Sequence, residues 1–438
     1  MNAEVKMIRT AAETAYTDAL AALPAADAVR PLREKALRLF AERGLPHRRV
    51  EEWKYTDLRA LLREMAPLAQ APDAAAIAEA KKNKVLSSIG AREIVFVNGS
   101  FVPALSDLKA LEKGLAISTL ADALAKDASI ATLLAKINPN KYDAVFALNT
   151  AALNEGVVIE IAPGAQIAKP IHIRHIVTGV SPVSVFGRVL VKIGKKAQAT
   201  IVQSHSGPDA VAYQTNTVLQ LSVADEAELD LVRVQAEGDK AIHLSMAIGA
   251  VGQESRFRSF ALTTGAAVSR HTMPFAYAGR DARALISGAT LLRGKQHADI
   301  TLEVDHALPG GESRELFKTV LDDESKGVFQ GLIVVRPDAQ KTDGRMMSAA
   351  LLLGENAEMD NKPELEIFAD DVQCAHGATT GALDEDLLFY LCARGIPKKE
   401  AESLLIQSFF GEAIETIENG KIRDAVMSRA SAWLAARG

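Results

Sequence analysis

The residues best suited to chemistry lie in one stretch, Asn361–Gly381, reading NKPELEIFADDVQCAHGATTG. It sets a thiol, Cys374, two residues before an imidazole, His376, and just after the acid pair Asp370-Asp371. Thiolate and imidazole are both ligands for iron and related metals. Val372, Cys374 and His376 share one parity. On an extended backbone Cys374 and His376 therefore project from the same face, with Cα atoms about 6.5–7 Å apart. That span is too long for both to grip one small ion without a bend, and it suits two groups aimed at a shared surface. The structural alternatives are a Cys acting as a small buried hydrophobe and a His hydrogen-bonded at a strand end. Leu365 and Ile367 alternate with Glu364 and Glu366, which predicts a half-buried strand. Gly377-Ala378-Thr379 offers a place to turn.

The paired acids Asp322-Asp323 and Asp370-Asp371 suggest a second chemistry, acid–base attack on a polysaccharide by a β-helix enzyme. Such an enzyme calls for a secretory leader and aromatic sugar platforms. Aromatics are only 5% of the chain, and MNAEVKMIRTAAETAYTDAL has early acids and no apolar core of leader length. His172, His175, His205, His243, His271, His297 and His306 are scattered, with no HxH or HExxH arrangement. No phosphate loop of the GxxxxGK type, GxGxxG turn or GxSxG elbow is present.

Two cysteines, Cys374 and Cys392, exclude a disulfide framework and give no CxxC zinc spacing. A net charge of −5 without a long Lys/Arg block leaves no footprint for nucleic acid. No window approaches the ~18 consecutive apolar residues of a membrane span. The expected setting is a reducing cytoplasm.

Three regions must position these residues. Residues 1–92 read as helices, for example Pro31 to Gly44, with Pro to begin and Gly to end. The following GLPHRRVEEWKYTDL concentrates Trp53, Tyr55 and Leu58 in a packed joint or docking arm. Residues 93–380 read as a β-rich core. It opens on a hairpin about Asn98-Gly99, carries a helical insertion at about 115–150, and alternates from Gly156 onward. Small residues mark its turns at Ala165, Ala197, Ala227, Ser255, Ala282, Ala298, Ser325 and Ala357, at intervals of 27 to 32 residues with one of 16. This near-periodic array predicts a β-solenoid; periodicity alone leaves a β-sandwich open.

Residues 381–438 are helical again. Asp384 is the expected N-cap and Gly395 the stop of a helix with Leu387, Leu388 and Leu391 in a stripe and Cys392 packed beside it. Leu404, Leu405, Ile406, Phe409, Phe410, Ile414 and Ile417 are more apolar than one core-facing stripe needs. The excess points to a partner surface or to a cap on the solenoid.

From NKPELEIF to SFFGEAIE the chain resembles the C-terminal signature of the SufB/SufD family of iron–sulfur cluster assembly proteins. The likeness extends to DGRMMSAALLLGENAEMDNKPELEI, to DAVFALNTAALNEGVVIEIAPGA and to GLPHRRVEEWKYTDL, so it covers nearly the whole chain. The CAHGAT wording and the Trp53 arm are similar to the SufD branch, and the extra cysteines of the SufB branch are missing. The resemblance implies a mainly β fold, a right-handed parallel β-helix flanked by helical regions. It implies a non-enzymatic scaffold subunit of a cytosolic complex, paired with a SufB-like subunit and coupled to a SufC-like ATPase of ABC type. His376 and Cys374 would supply part of a metal site completed by SufB. This chain alone would bind no cofactor tightly, and iron or an iron–sulfur cluster would be held transiently in the complex. Asp384, Leu387, Leu388, Leu404, Leu405, Phe409, Phe410 and Ile414 would dock SufC. A free-standing homodimer, its sheet edges closed by self-pairing, is the remaining arrangement.

Overall fold

A computed structural model describes residues 9–24, 26–135 and 143–437. Its strands, in chain order, begin with β1 (Arg92–Val97), β2 (Ser100–Phe101), β3 (Leu115–Thr119), β4 (Val157–Ile161), β5 (Ile171–Ile176), β6 (Ser184–Ile193) and β7 (Gln198–Ser206). They continue with β8 (Gln214–Val223), β9 (Glu228–Ala236), β10 (Ile242–Val251), β11 (Arg256–Thr263), β12 (Val268–Tyr277) and β13 (Arg283–Leu292). The last are β14 (His297–His306), β15 (Glu312–Leu321), β16 (Lys326–Val335), β17 (Asp343–Leu352), β18 (Glu358–Ile367) and β19 (Gln373–Gly381). Odd strands from β5 to β19, with β1 and β2, form a ten-stranded sheet; even strands from β4 to β18, with β3, form a nine-stranded sheet. From β4 and β5 onward neighbours pair in parallel and in register, as in Ile171 on Ile201 and Ile201 on Leu231. The chain thus climbs as a β-solenoid, one strand in each sheet per rung.

Side chains alternate across each strand. One parity, such as Ile171, Ile201, Leu231 and Val191, fills a continuous apolar core between the sheets. The other parity would face water, but helices cover much of it, so most strands are buried on both faces.

The uneven turn spacing now has a cause. Ala197, Ala227, Ser255 and Ala282 lie where even strands pass to odd strands, on one edge; Ser325 and Ala357 lie on the opposite edge, where odd strands pass to even. The short interval is a jump between edges. At that jump Ala298 is a strand residue, and the turn position is Gln296, whose N–H bonds Arg293 O as Ser325 N–H bonds Asp322 O.

The N-terminal region contains α1 (Ala11–Ala22), α2 (Arg30–Arg43), α3 (Leu58–Leu61) and α4 (Ala74–Ala80). Tyr16, Leu20, Phe40 and Trp53 pack with Val145 and Leu148 over the outer face of the even sheet. The Trp53 arm docks there firmly. The Arg270 guanidinium lies 3.8 Å from the Trp53 ring centroid and pairs with Asp299, which accepts from Thr56 Oγ1 at 2.5 Å. The hairpin forms about Asn98 and Gly99, both with positive φ, as a two-residue turn requires. The insertion differs from its expectation at its start. Leu115–Thr119 is strand β3, antiparallel to β4, because LAIST alternates and is β-branched. Thr119 then caps α5 (Leu120–Lys126), followed by α6 (Ser129–Ala135) and α7 (Ala144–Ala151). The rest of that expectation, 136–142, lies outside the described residues.

The C-terminal region is α8 (Glu385–Ala393), α9 (Lys398–Ile414) and α10 (Gly420–Ala435). Helices α9 and α10 lie on the outer face of the odd sheet, where Ile406, Phe410, Ile414 and Trp433 meet Val232, Phe260 and Leu291. Burying each such side chain contributes about 1.5–3 kcal/mol.

Candidate metal site at the open end of the solenoid

Strands β18 and β19 are the last of their sheets, and among the described residues neither has a further neighbour. The stretch carrying Cys374 and His376 is therefore a sheet edge. β19 follows β17 in register, Cys374 beside Gly344 and His376 beside Met346. Gly344 and Met346 face the interior, so Cys374 and His376 do too, as their shared parity predicts. No rung covers them. Cys374 is half-buried, His376 is exposed, and inward-facing Ile367 is 41% exposed beside Phe368 at 59%. The alternation read at Leu365 and Ile367 holds, with Leu365 packed on the core.

The turn expected at Gly377-Ala378-Thr379 is not there; β19 runs straight through it. Gly377 serves its neighbour instead. A Cβ there would come within 3.0 Å of Met347 Sδ, so the glycine makes room for that side chain.

Burial raises the Cys374 thiol above its ordinary range, against a lowering bond from the Gly344 backbone, with Asp343 and Glu315 raising it further. Cys374 is therefore a thiol at neutral pH and must lose a proton to bind metal. Behind it the chain packs closely at Gly344. A Cβ at 344 would sit 3.3 Å from Ser313 Oγ, which is bonded to His306 Nε2 at 3.1 Å. In the adjacent inward column Glu315 stands beside Met346, and Met346 beside His376. Glu315 is 2% exposed, and among the described residues its carboxyl oxygens make no well-formed hydrogen bond. Burial lifts its carboxyl to about 8, outweighing the lowering influence of Ser313 and Arg314.

Deeper inside, the structure assembles what the sequence left scattered. His175 stacks on His205, with centroids 4.6 Å apart, and His205 meets the edge of His243 at 4.7 Å. Arg233 Nη2 donates to His243 Nε2 at 2.6 Å and to Ser245 Oγ at 3.0 Å. That assigns the proton to His243 Nδ1, which lies 2.5 Å from Glu237 Oε2. A neutral His243 thus links a buried cation to a buried carboxylate. Burial depresses His175, to about 3, and drives His205 and His271 well below their ordinary value. The signal was available: His175 and His205 are one rung apart and in register. Among the described residues no group of three or more His, Cys, Asp and Glu side chains is placed to hold a metal ion.

The acid pairs do not converge. Asp322-Asp323 lies at the β15–β16 turn and Asp370-Asp371 at the β18–β19 turn, on opposite edges. Asp322 pairs with Arg437, Asp323 Oδ2 accepts from Gly294 N at 2.8 Å, and Asp371 pairs with Lys341.

The apolar residues of the C-terminal region divide. Phe410 and Ile414 are fully buried against the odd sheet and unavailable to a partner, because they form the inward stripe of α9. Phe409 is half-buried, with Lys318 Nζ 4.8 Å from its ring centroid, and Leu405 is also half-buried. Asp384 caps α8 through Leu387 N at 2.9 Å. Helix α8 buries none of its residues: Leu387 is exposed, Leu388 half-buried, and Phe389 and Tyr390, which sequence reasoning passed over, are exposed, Phe389 by 75%.

The family model for the SufBD core domain of SUF-system FeS cluster assembly matches residues 175–409, and that for the SufBD N-terminal region matches 14–173. The chain is 30% identical over 415 residues to an iron-sulfur cluster assembly SufBD family protein of Synechocystis, covering 91% of this chain and 90% of that one. It is 30% identical over 405 residues to the iron-sulfur cluster assembly protein SufD of Escherichia coli, covering 91% and 92%. It is 32% identical over 296 residues to the chloroplastic protein ABCI7 of Arabidopsis thaliana, covering 66% and 62%.

Proposed function

The chain belongs to the SufBD family of iron–sulfur cluster assembly proteins, and on that premise we propose that it is a SufD-like scaffold subunit without turnover of its own. It pairs with a SufB-like subunit through the open end and couples to a SufC-like ATPase through its C-terminal helices. The observation that carries this reading is the unpaired last rung. Two edge strands, one of ten residues and one of nine, end the sheets with a thiol, an imidazole and exposed Ile367 and Phe368 between them. Unprotected edges of this length are templates for pairing with another chain.

Iron and sulfide are the cargo. His376 supplies a nitrogen ligand and Cys374 a sulfur ligand once its proton leaves. With two ligands from this chain, the partner completes the set, and a shared site releases its cluster when the two subunits shift. That shift comes from the ATPase, whose dimerisation on ATP moves the helical ends. Helix α8, with Leu387, Phe389 and Tyr390 outward, is the surface offered to it, with Leu404 at its margin. The partly shielded thiols of Cys374 and Cys392 suit a reducing cytoplasm. Without SufB, the same edges pair with a second copy.

Co-expressed with SufB-like and SufC-like subunits, the chain should elute with both from a sizing column; elution alone overturns the reading. His376→Ala should lower cluster yield while the complex still assembles. An unchanged yield removes His376 from the mechanism.

A further inference from the structure

The two bare edges at the open end differ in charge. Met359 and Leu365 pack on the interior, so the even-numbered residues of β18 face outward: Glu358, Asp360, Lys362, Glu364 and Glu366. Glu358, Glu364 and Glu366 are exposed, while Asp360 and Lys362 are half-buried. The matching outward row of β19, which is Gln373, Ala375, Gly377, Thr379 and Gly381, carries no charged side chain. The cations near β18 do not cancel its row. Lys362 Nζ is shared between Glu364 at 3.1 Å and Glu51 of the Trp53 arm at 2.6 Å, so the arm brings a further acid across the sheet. Lys326 of β16 lies 3.3 Å from Glu358 and 3.0 Å from Asp360. Arg336 is held by Asp305 at 2.9 Å, with Glu303 and Glu366 beside it. Acid remains in excess, and it lines the edge that an added strand would join.

A strand added to β18 stands about 4.8 Å away, with its outward side chains opposite this row. A second copy of the chain meets it badly. In an antiparallel pair of two β18 strands centred on Lys362, Glu358 faces Glu366, Asp360 faces Glu364 and lysine faces lysine; centred on Pro363, Asp360 still faces Glu366. Like charges directly opposite one another destabilise a sheet, and opposite charges stabilise it. We propose that β18 is a charge-selective edge: its acid row takes an extended strand from a different chain, with Lys or Arg at the outward positions, and disfavours a second copy of this one. This rests on the reading of the open end as a pairing surface, and adds the chemistry by which the SufB-like partner is chosen. Self-pairing through β18 is then the weaker association. Specificity of this kind comes from repelling the wrong partner as well as from attracting the right one.

Sedimentation equilibrium on the full chain, alone and with the SufB-like subunit, tests this. Salt screens exposed charges, so raising it from about 0.05 M to about 0.5 M should weaken pairing with the SufB-like subunit and strengthen self-association. The double variant Glu364→Lys/Glu366→Lys turns the facing acid pairs of a self-paired β18 into opposite charges. It should weaken pairing with the SufB-like subunit about tenfold and strengthen self-association by at least as much. Glu364→Gln/Glu366→Gln should fall between. Both residues are exposed, so the isolated variants should melt as the unsubstituted chain does. Pairing with the SufB-like subunit that neither salt nor charge reversal changes overturns the selection, and the acids then only blunt the edge. Self-association that neither changes overturns it as well. If the unsubstituted chain pairs with no SufB-like subunit, the proposed function fails and the charge selection with it.

Discussion

Replacing Glu315 by Gln should change how stability depends on pH. Burial raises this carboxyl from 4.5 to about 8 in the folded chain. As pH rises the unfolded chain ionises first, so between those two values the folded state binds more protons. Stability therefore falls with pH, by about 1.4 kcal/mol per pH unit in that window. The loss is absent well below the unfolded value, reaches roughly 3 kcal/mol at about pH 7, and levels off above the folded value. Gln has no proton to lose. Its own unbonded amide shifts stability by an amount that does not vary with pH, and every other titrating group cancels between the two chains. Urea unfolding of both, followed by circular dichroism at about pH 5.5 and about pH 7.5, isolates the effect. The unsubstituted chain should lose roughly 2.5 kcal/mol more than Glu315→Gln between those conditions. Parallel losses would mean that Glu315 is ionised in the folded protein, and the account of a neutral buried carboxyl would be wrong.

Other changes separate packing from docking. Phe410→Ala should lower stability by about 3–5 kcal/mol, read as a drop in unfolding midpoint. Phe389→Ala should leave stability within about 0.5 kcal/mol yet weaken co-purification with the ATPase. Phe368→Glu should abolish elution with the SufB-like subunit while the isolated chain melts as before. His243→Ala should destabilise by about 3–5 kcal/mol, because Arg233 and Glu237 would be left buried without their bridge; a melting point equal to that of the unsubstituted chain would show that they find each other directly.

Much of the fold was legible because solenoid turns leave a mark. Small residues recur at the pitch of a rung whatever the strands between them contain. The edge each turn occupies was not legible, since both edges use the same small residues, and Gln296 stands where a small one was expected. Interior and exterior parity were equally hidden. Strands such as β6 and β8 are buried on both faces, so their apolar runs do not say which side is the core. For that reason the histidines looked scattered until register aligned them. The shared parity of Cys374 and His376 was legible because alternation fixes it on any extended strand. In α9 the adjacent Phe409 and Phe410 cannot both face inward, and only packing against the odd sheet selects Phe410.

The two ends of the solenoid are unlike, and that difference limits how many molecules can join. One end finishes in short antiparallel strands, β2 and β3, which offer little backbone for growth. The other finishes in two long bare edges. Were both ends bare, head-to-tail stacking would propagate without closure, as in a fibril. With a single sticky end, each molecule can be met only once along its axis, and only by another open end turned to face it. Such an encounter is isologous and self-terminating. On the proposed reading it would close as a two-fold or pseudo-two-fold pair, with no free edge left to propagate a polymer.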